Sequence, residues 1–147
     1  MKKFHFNLET VLDVRQKEED AIVRELGNAQ AKLNAVLDQI AACESKILNQ
    51  YEVIKQMYSR PVHMDLLLNT QNYLKSCKEE KKALHEREKT MLDEILAIKK
   101  RLSEAMKKRK ILEKLKEKEY EKYRDEFNKL DDANMDEIND NKQNRRL

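Results

Sequence analysis

The histidines and cysteines are the residues of this sequence that could support catalysis or metal binding. His5, His63 and His85 are far apart in the chain, and no group of histidine, cysteine and carboxylate residues has the spacing of a metal site. The single glycine cannot form a glycine-rich phosphate loop, and no serine or cysteine has a base at a recognisable offset. We therefore expect a protein that is not an enzyme and that binds neither a metal nor a cofactor.

The main feature of the sequence is an apolar repeat whose spacing alternates between four and three residues. Twelve of its fifteen positions in the first part of the chain are apolar. These positions are Leu8, Leu12, Arg15, Glu19, Ile22, Leu26, Ala29, Leu33, Val36, Ile40, Cys43, Ile47, Gln50, Ile54 and Met57. A period of three and a half residues predicts a helix that buries one narrow stripe, here called the seam, against a partner helix. Charges at seam positions such as Arg15 and Glu19 lower stability and are usually kept for register or for a partner.

Two long helices are expected because the chain has a single break, Tyr58–Met64, which contains the only proline, Pro61. The alternation restarts at Leu67 and runs to Leu112. A looser, phase-shifted stripe then continues through Leu115, Tyr120, Tyr123, Phe127 and Leu130. A connection this short favours antiparallel neighbours.

The sequence therefore predicts an all-α fold, a single antiparallel coiled-coil hairpin over residues 1–147. The expected parts are helix 1 at about residues 5–59, a turn at about 60–64, helix 2 at about 65–135 and a mobile tail at about 136–147. Asn7 is the expected N-cap of the first helix. If Met57 lies beside Leu67, Leu8 lies level with Lys116. Gly27 either marks the close approach of another backbone or is a tolerated surface glycine.

The charged residues make up 40% of the chain but are mixed in sign, and the formal net charge is only +3. Nucleic-acid binding is therefore not expected. Residues 99–124 contain twelve Lys and Arg against five Glu, whereas residues 125–141 contain seven acidic residues against one lysine. This segregation fits either a footprint for an acidic partner or solvated helix faces with near-neighbour ion pairs.

Several apolar residues lie off the seam near the two ends of the chain. They are Phe4, Phe6, Val11, Val14, Tyr120 and Phe127. Because one seam cannot bury them all, they predict a docking surface where the paired ends meet.

A cytoplasmic protein is expected. The longest apolar run, Leu66–Leu68, is far too short to span a bilayer, and Asn7 and Glu9 interrupt any signal peptide. Cys43 and Cys77 both occupy seam positions, which favours small buried thiols in a reducing compartment; a disulfide between them is the alternative.

Both ends of the chain carry more specific motifs than the seam. The N-terminal motif is Phe4-x-Phe6-x-Leu8-x-x-Val11-Leu12-x-x-Arg15, followed by Glu18-Glu19-Asp20-Ala21 and Glu25-Leu26-Gly27. The C-terminal motif is Arg109-Lys110-x-Leu112-Glu113-Lys114-Leu115-x-Glu117-Lys118, followed by Tyr123 and Met135-Asp136-Glu137-Ile138. Together they resemble FliJ, the small coiled-coil component of the bacterial flagellar export apparatus, over nearly the whole chain.

The resemblance implies a monomeric hairpin similar to the central stalk of rotary ATPases, with a role in flagellum biogenesis and so in motility and chemotaxis. Family members insert their paired ends into the hexameric export ATPase FliI, promote its assembly and activity, engage the export gate protein FlhA and cycle export chaperones. Carried onto this sequence, the ATPase-binding residues would be Phe4, Phe6, Leu8, Val11, Leu12, Arg15, Arg109, Lys110, Leu112, Leu115 and Lys116. Such a protein would be cytoplasmic and peripheral at the inner membrane, without inserting into it.

The resemblance also suggests a gate contact early in the second helix, at Tyr73, Leu74 and Cys77. Ordinary seam packing is the alternative for these residues. For the whole chain, the alternatives are the equivalent stalk of a virulence type III secretion system and a generic coiled-coil spacer or homodimer.

Overall fold

The computed structural model describes residues 2–146 and consists of two long helices. Helix α1 spans Glu9–Tyr58, 50 residues, and helix α2 spans Met64–Arg146, 83 residues. No strand occurs in the described part of the chain. The predicted all-α fold with two long helices is therefore confirmed.

The described residues before α1 have no regular secondary structure and end in a turn at residues 7–8. The N–H of Glu9 donates to the carbonyl of Phe6 at 3.1 Å, and the first bond of the helix runs from the Leu12 N–H to the Leu8 carbonyl at 2.9 Å. Leu8 therefore takes the N-cap position that was predicted for Asn7. Phe6 is buried, and its side chain and carbonyl hold this segment outside the helix, which explains why α1 begins later than predicted.

The connection between the helices follows the prediction from Pro61. At the end of α1, the Ser59 hydroxyl and N–H both donate to the Gln56 carbonyl, at 2.7 and 3.2 Å. At the start of α2, the His63 carbonyl accepts from the N–H groups of Leu66 and Leu67, at 3.1 and 3.3 Å. These bonds satisfy backbone groups that a helix leaves unpaired at its ends.

The described residues form two compact units. The turn unit is Ala21–Leu102, and the terminal unit combines the chain up to Asp20 with the chain from Ser103 onward. Each unit contains one part of α1 and one part of α2.

In the turn unit, α1 and α2 run antiparallel and pack along the predicted seam. Arg101 pairs with Glu25 at 2.7 Å and Lys81 pairs with Glu44 at 3.4 Å, so residue numbers rise on one helix as they fall on the other. The buried core comprises Val36, Ile40, Cys43, Leu74, Cys77, Ile95 and Ile98, which are all seam positions. The turn unit is thus an α-helical hairpin held by one layer of side chains.

The two cysteines are part of this core. Cys43 and Cys77 are each 2% exposed and carry free thiols. Burial raises the pKa of the Cys43 thiol, which favours its neutral form. The prediction of small buried thiols is confirmed, and the alternative of a disulfide is wrong.

The terminal unit keeps the same antiparallel register. Lys116 pairs with Glu9 at 2.9 Å, one residue from the predicted neighbour Leu8. The predicted phase shift after Leu112 is wrong, because α2 continues without an insertion and Lys116, Glu119 and Tyr123 are half-buried in the original phase. Glu113, beside Leu112, is also half-buried, and of the predicted stripe only Tyr123 is half-buried, whereas Leu115, Tyr120, Phe127 and Leu130 are exposed.

Helix α2 continues through the segment predicted as a tail. It reaches Arg146, and every described side chain from Arg124 to Arg145 is exposed. Leu147 lies outside the described residues. The segment contains no proline or glycine, so nothing in it stops helix propagation once the preceding turns are formed.

Gly27 lies within α1 and is exposed, and a Cβ atom built on it meets no atom within 4 Å. The surface interpretation of this glycine is therefore correct. Replacing Gly27 by alanine should raise the free energy of unfolding by about 0.5–1 kcal/mol, because alanine restricts the unfolded chain and fits the helix. Urea denaturation followed by circular dichroism measures this difference.

The matched control is Ala31→Gly, one turn further along the same helix and also exposed. It should lower the free energy of unfolding by a similar amount. A decrease in stability for Gly27→Ala would mean that the glycine is required for a contact with another molecule or backbone.

Candidate functional site

The N-terminal segment packs against α2 through aromatic rings. The Phe4 ring lies 5.2 Å from the ring of Tyr120 and 5.6 Å from that of Tyr123, measured between centroids. The Tyr123 hydroxyl donates a hydrogen bond to the Lys2 carbonyl at 2.7 Å. Offset and edge-to-face aromatic contacts of this kind stabilise a pair by about 0.5–1.5 kcal/mol beyond burial. The start of the chain is therefore fixed on α2.

All eleven residues predicted to bind the ATPase lie in the terminal unit, but they fall into two groups. Seven of them are buried or half-buried within the unit: Phe4, Phe6, Leu12, Arg15, Arg109, Leu112 and Lys116. The remaining four are exposed: Leu8, Val11, Lys110 and Leu115. The second group is the more exposed to a partner.

Arg109 belongs to the first group because it is paired inside the unit. Its guanidinium forms ion pairs with Glu19 of α1 and with Glu113 of α2, the latter at 2.8 Å to both carboxylate oxygens. The hydrogen bonds that its guanidinium donates to the carboxylates of Glu19 and Glu113 raise the pKa of Arg109 above its ordinary value. Glu19 was predicted to serve register or a partner, and its partner is Arg109 of the same chain. The contact fixes one polar layer in the seam.

Arg15 has a more local partner. Its guanidinium pairs with Glu18 on the same helix at 3.1 Å, and the arginine side chain is 34% exposed. An exposed pair at this spacing contributes little to stability.

The exposed apolar residues of the terminal unit form strips beside the seam. We call the following residues the docking face: Leu8, Val11, Val14, Lys108, Ile111 and Leu115. On α2, Lys108, Ile111 and Leu115 are three and four residues apart and so share one side of the helix. The most exposed apolar member, Ile111, is 67% exposed. The sequence reasoning missed it because it directly precedes the seam residue Leu112, although its place outside the repeat was a usable signal.

A groove of about 520 Å³ lies beside the seam of the same unit. Its lining residues are Phe4, Leu12, Glu113, Lys116, Glu117 and Tyr120. It lies open at the surface with an aromatic floor and both signs of charge at its rim, which suits a protruding side chain of a protein partner. Within residues 2–146 no group of three His, Cys, Asp or Glu could hold a metal ion.

The predicted gate residues lie in the turn unit, and two of the three are core. Leu74 is 8% exposed and Cys77 is 2% exposed, as the alternative of seam packing predicts. Tyr73 is 46% exposed and is the one member of the trio that a partner could contact directly.

The paired charges of the seam give a testable expectation. Arg109→Leu should lower the melting temperature by several degrees, because it leaves the Glu19 carboxylate on an apolar seam without its partner. The double variant Glu19→Leu/Arg109→Leu should recover most of this loss, since both charges are replaced by seam-compatible side chains. Thermal unfolding of the wild type, both single variants and the double variant measures the coupling.

The matched control is Glu25→Leu/Arg101→Leu, an exposed pair, for which the cycle should give a small coupling. Additive losses for Glu19 and Arg109 would show that the two side chains stabilise the unit independently.

Over the residues described, neither helix contains a stretch long and apolar enough to cross a membrane.

Comparison with known proteins identifies the family. The family described as Flagellar FliJ protein matches residues 4–147, which include both end motifs and the single break. No curated protein and no solved structure matches the chain. The chain therefore belongs to the FliJ family, whose members are components of the flagellar export apparatus.

Proposed function

We propose that this protein is a non-enzymatic stalk and escort of the flagellar type III protein export apparatus. It binds the ring of the export ATPase, a FliI-like hexamer, and promotes its assembly and activity. It also links the ring to a FlhA-like export gate protein and cycles export chaperones. Family membership supports the assignment to the flagellar export apparatus. The exposed apolar residues of the terminal unit support the proposed contact with a protein ring.

The observation that carries the proposal is the docking face. Val11 and Leu115 are 40% and 38% exposed, although each directly neighbours a seam residue. Fully burying a side chain of this size contributes about 1.5–3 kcal/mol, so a partner that covers several of them gains a useful part of its binding energy here. Lys108 lies among them, which favours a partner surface that is apolar and carries an acidic residue.

The role proposed for the chain in the ATPase reaction is mechanical and not chemical. The nucleotide is hydrolysed by the ring, and the stalk contributes contacts that favour the assembled hexamer over free subunits. Its own surface grooves lie open to solvent, whereas catalytic sites need a shielded space in which electrostatic interactions are strong.

For the gate contact we propose Tyr73 as the directly accessible residue, with Leu74 and Cys77 supporting it from the core. The proposed location is the cytoplasm, at the cytoplasmic face of the inner membrane, and the proposed state before docking is a monomer. The family match favours the flagellar apparatus over the virulence secretion system. The homodimer remains the competing structural role, since a second copy could also cover the docking face.

Stimulation of the ATPase tests the docking face. The variants Val11→Asp and Leu115→Glu should each raise the concentration for half-maximal stimulation of the cognate hexamer at least tenfold, because a charge would be buried against the ring. Both positions are partly exposed, so circular dichroism should show unchanged helix content. The assay measures ATP hydrolysis against stalk concentration.

The matched controls are Val23→Asp and Leu96→Glu, exposed apolar residues of the turn unit with 50% and 66% exposure. They should change half-maximal stimulation by less than twofold. Equal effects of test and control variants, or no effect of either, would show that the docking face is not the surface that contacts the ATPase ring. Sedimentation equilibrium at micromolar concentration distinguishes the monomeric stalk from the homodimer, since a stable dimer would contradict the monomeric stalk.

A further inference from the structure

The turn unit contains a second surface groove, of about 450 Å³, that shares no residue with the docking face or the predicted gate contact. Helix α1 contributes Ile47 and Tyr51, and α2 contributes the basic residues Lys78, Lys81, Lys82 and His85. No carboxylate lines it. The groove therefore combines an apolar floor with a basic wall.

Two of the lysines in this wall are not neutralised. Lys81 pairs with Glu44 at 3.4 Å, and His85 contacts Glu88 at 3.0 Å. In contrast, Lys78 and Lys82 form no ion pair with any residue that the structure describes. The ammonium group of Lys78 instead lies 5.0 Å from the centroid of the Tyr51 ring.

The spacing of the basic residues places three of them on one side of α2. Lys78, Lys82 and His85 are four and three residues apart, so they share one side of α2. On α1, Leu48 and Tyr51 are three residues apart and are 70% and 47% exposed. A ligand in this groove would meet cationic groups on one side and exposed apolar surface on the other.

We propose that this groove binds an acidic peptide segment of a partner protein. Its carboxylates would pair with Lys78 and Lys82, and an apolar side chain between them would pack on Ile47 and Tyr51. Charge complementarity carries the proposal, because the wall has unpaired cations and no anion. The proposal stands independently of the proposed contact with the ATPase.

The chemistry of the groove favours a peptide over a nucleic acid. No arginine lines the groove, although arginine forms the bidentate contacts typical of phosphate recognition. The apolar floor suits a leucine or phenylalanine side chain.

Fluorescence anisotropy with the full chain tests this site. The probe is a labelled twelve-residue peptide in which Asp and Glu alternate with Leu and Phe. The comparison peptide has every carboxylate replaced by the corresponding amide. The acidic peptide should bind at least tenfold more tightly than the amide peptide, with an affinity that falls as salt is raised.

Variants then locate the site. Lys78→Gln/Lys82→Gln should weaken binding of the acidic peptide at least tenfold, and Tyr51→Ala should weaken it at least threefold. The matched control, Lys118→Gln/Lys122→Gln, removes two exposed lysines of the same helix at the same spacing and should change affinity less than twofold. All variants replace exposed or surface-groove side chains, and circular dichroism verifies the fold.

Three outcomes would overturn the proposal. Equal weakening by the two lysine pairs would show attraction to basic charge in general. Equal binding of the amide peptide would exclude carboxylate recognition. Tighter binding of a twelve-nucleotide single-stranded RNA that depends on Tyr51 would assign the groove to nucleic acid instead.

Discussion

The packing of α1 on α2 along a seam one residue layer wide is the interaction on which the rest of the structure depends. Among the described residues, nine hydrophobic side chains are buried and no polar or charged residue is. A core this thin leaves most side chains in contact with solvent. We therefore expect partners to bind on the helix surfaces, and the residues next to the seam determine the position of the binding sites.

The repeat of apolar residues was sufficient to predict most of the fold. Burial by the partner helix follows the four-and-three spacing at Val36, Ile40 and Cys43, and Pro61 alone fixed the position of the break. The register followed from the length of the turn, and it placed Lys116 within one residue of its observed partner Glu9. These features depend on local periodicity and chain geometry, which a sequence records directly.

Other features depend on contacts that a sequence does not record. The late start of α1 follows from the burial of Phe6, and a helix pattern alone does not reveal that anchor. The apolar residues Leu115 and Tyr120 suggested a shifted stripe, but an uninterrupted helix keeps its phase regardless of composition. For the candidate sites, residue type was a poor guide to availability: Arg109 is occupied by Glu19 and Glu113.

The aromatic packing of Phe4 on Tyr120 and Tyr123 has a consequence for association at this end of the chain. A flexible N-terminal segment would lose conformational entropy when it binds a partner, and that loss would weaken the complex. Here the packing of Phe4 on the rings of Tyr120 and Tyr123 already holds the N-terminal segment on α2. A binding partner therefore meets a surface that is ordered before the two proteins collide. An N-terminal segment that is ordered in advance favours fast, repeated binding and release of a partner, because no folding step accompanies each binding event.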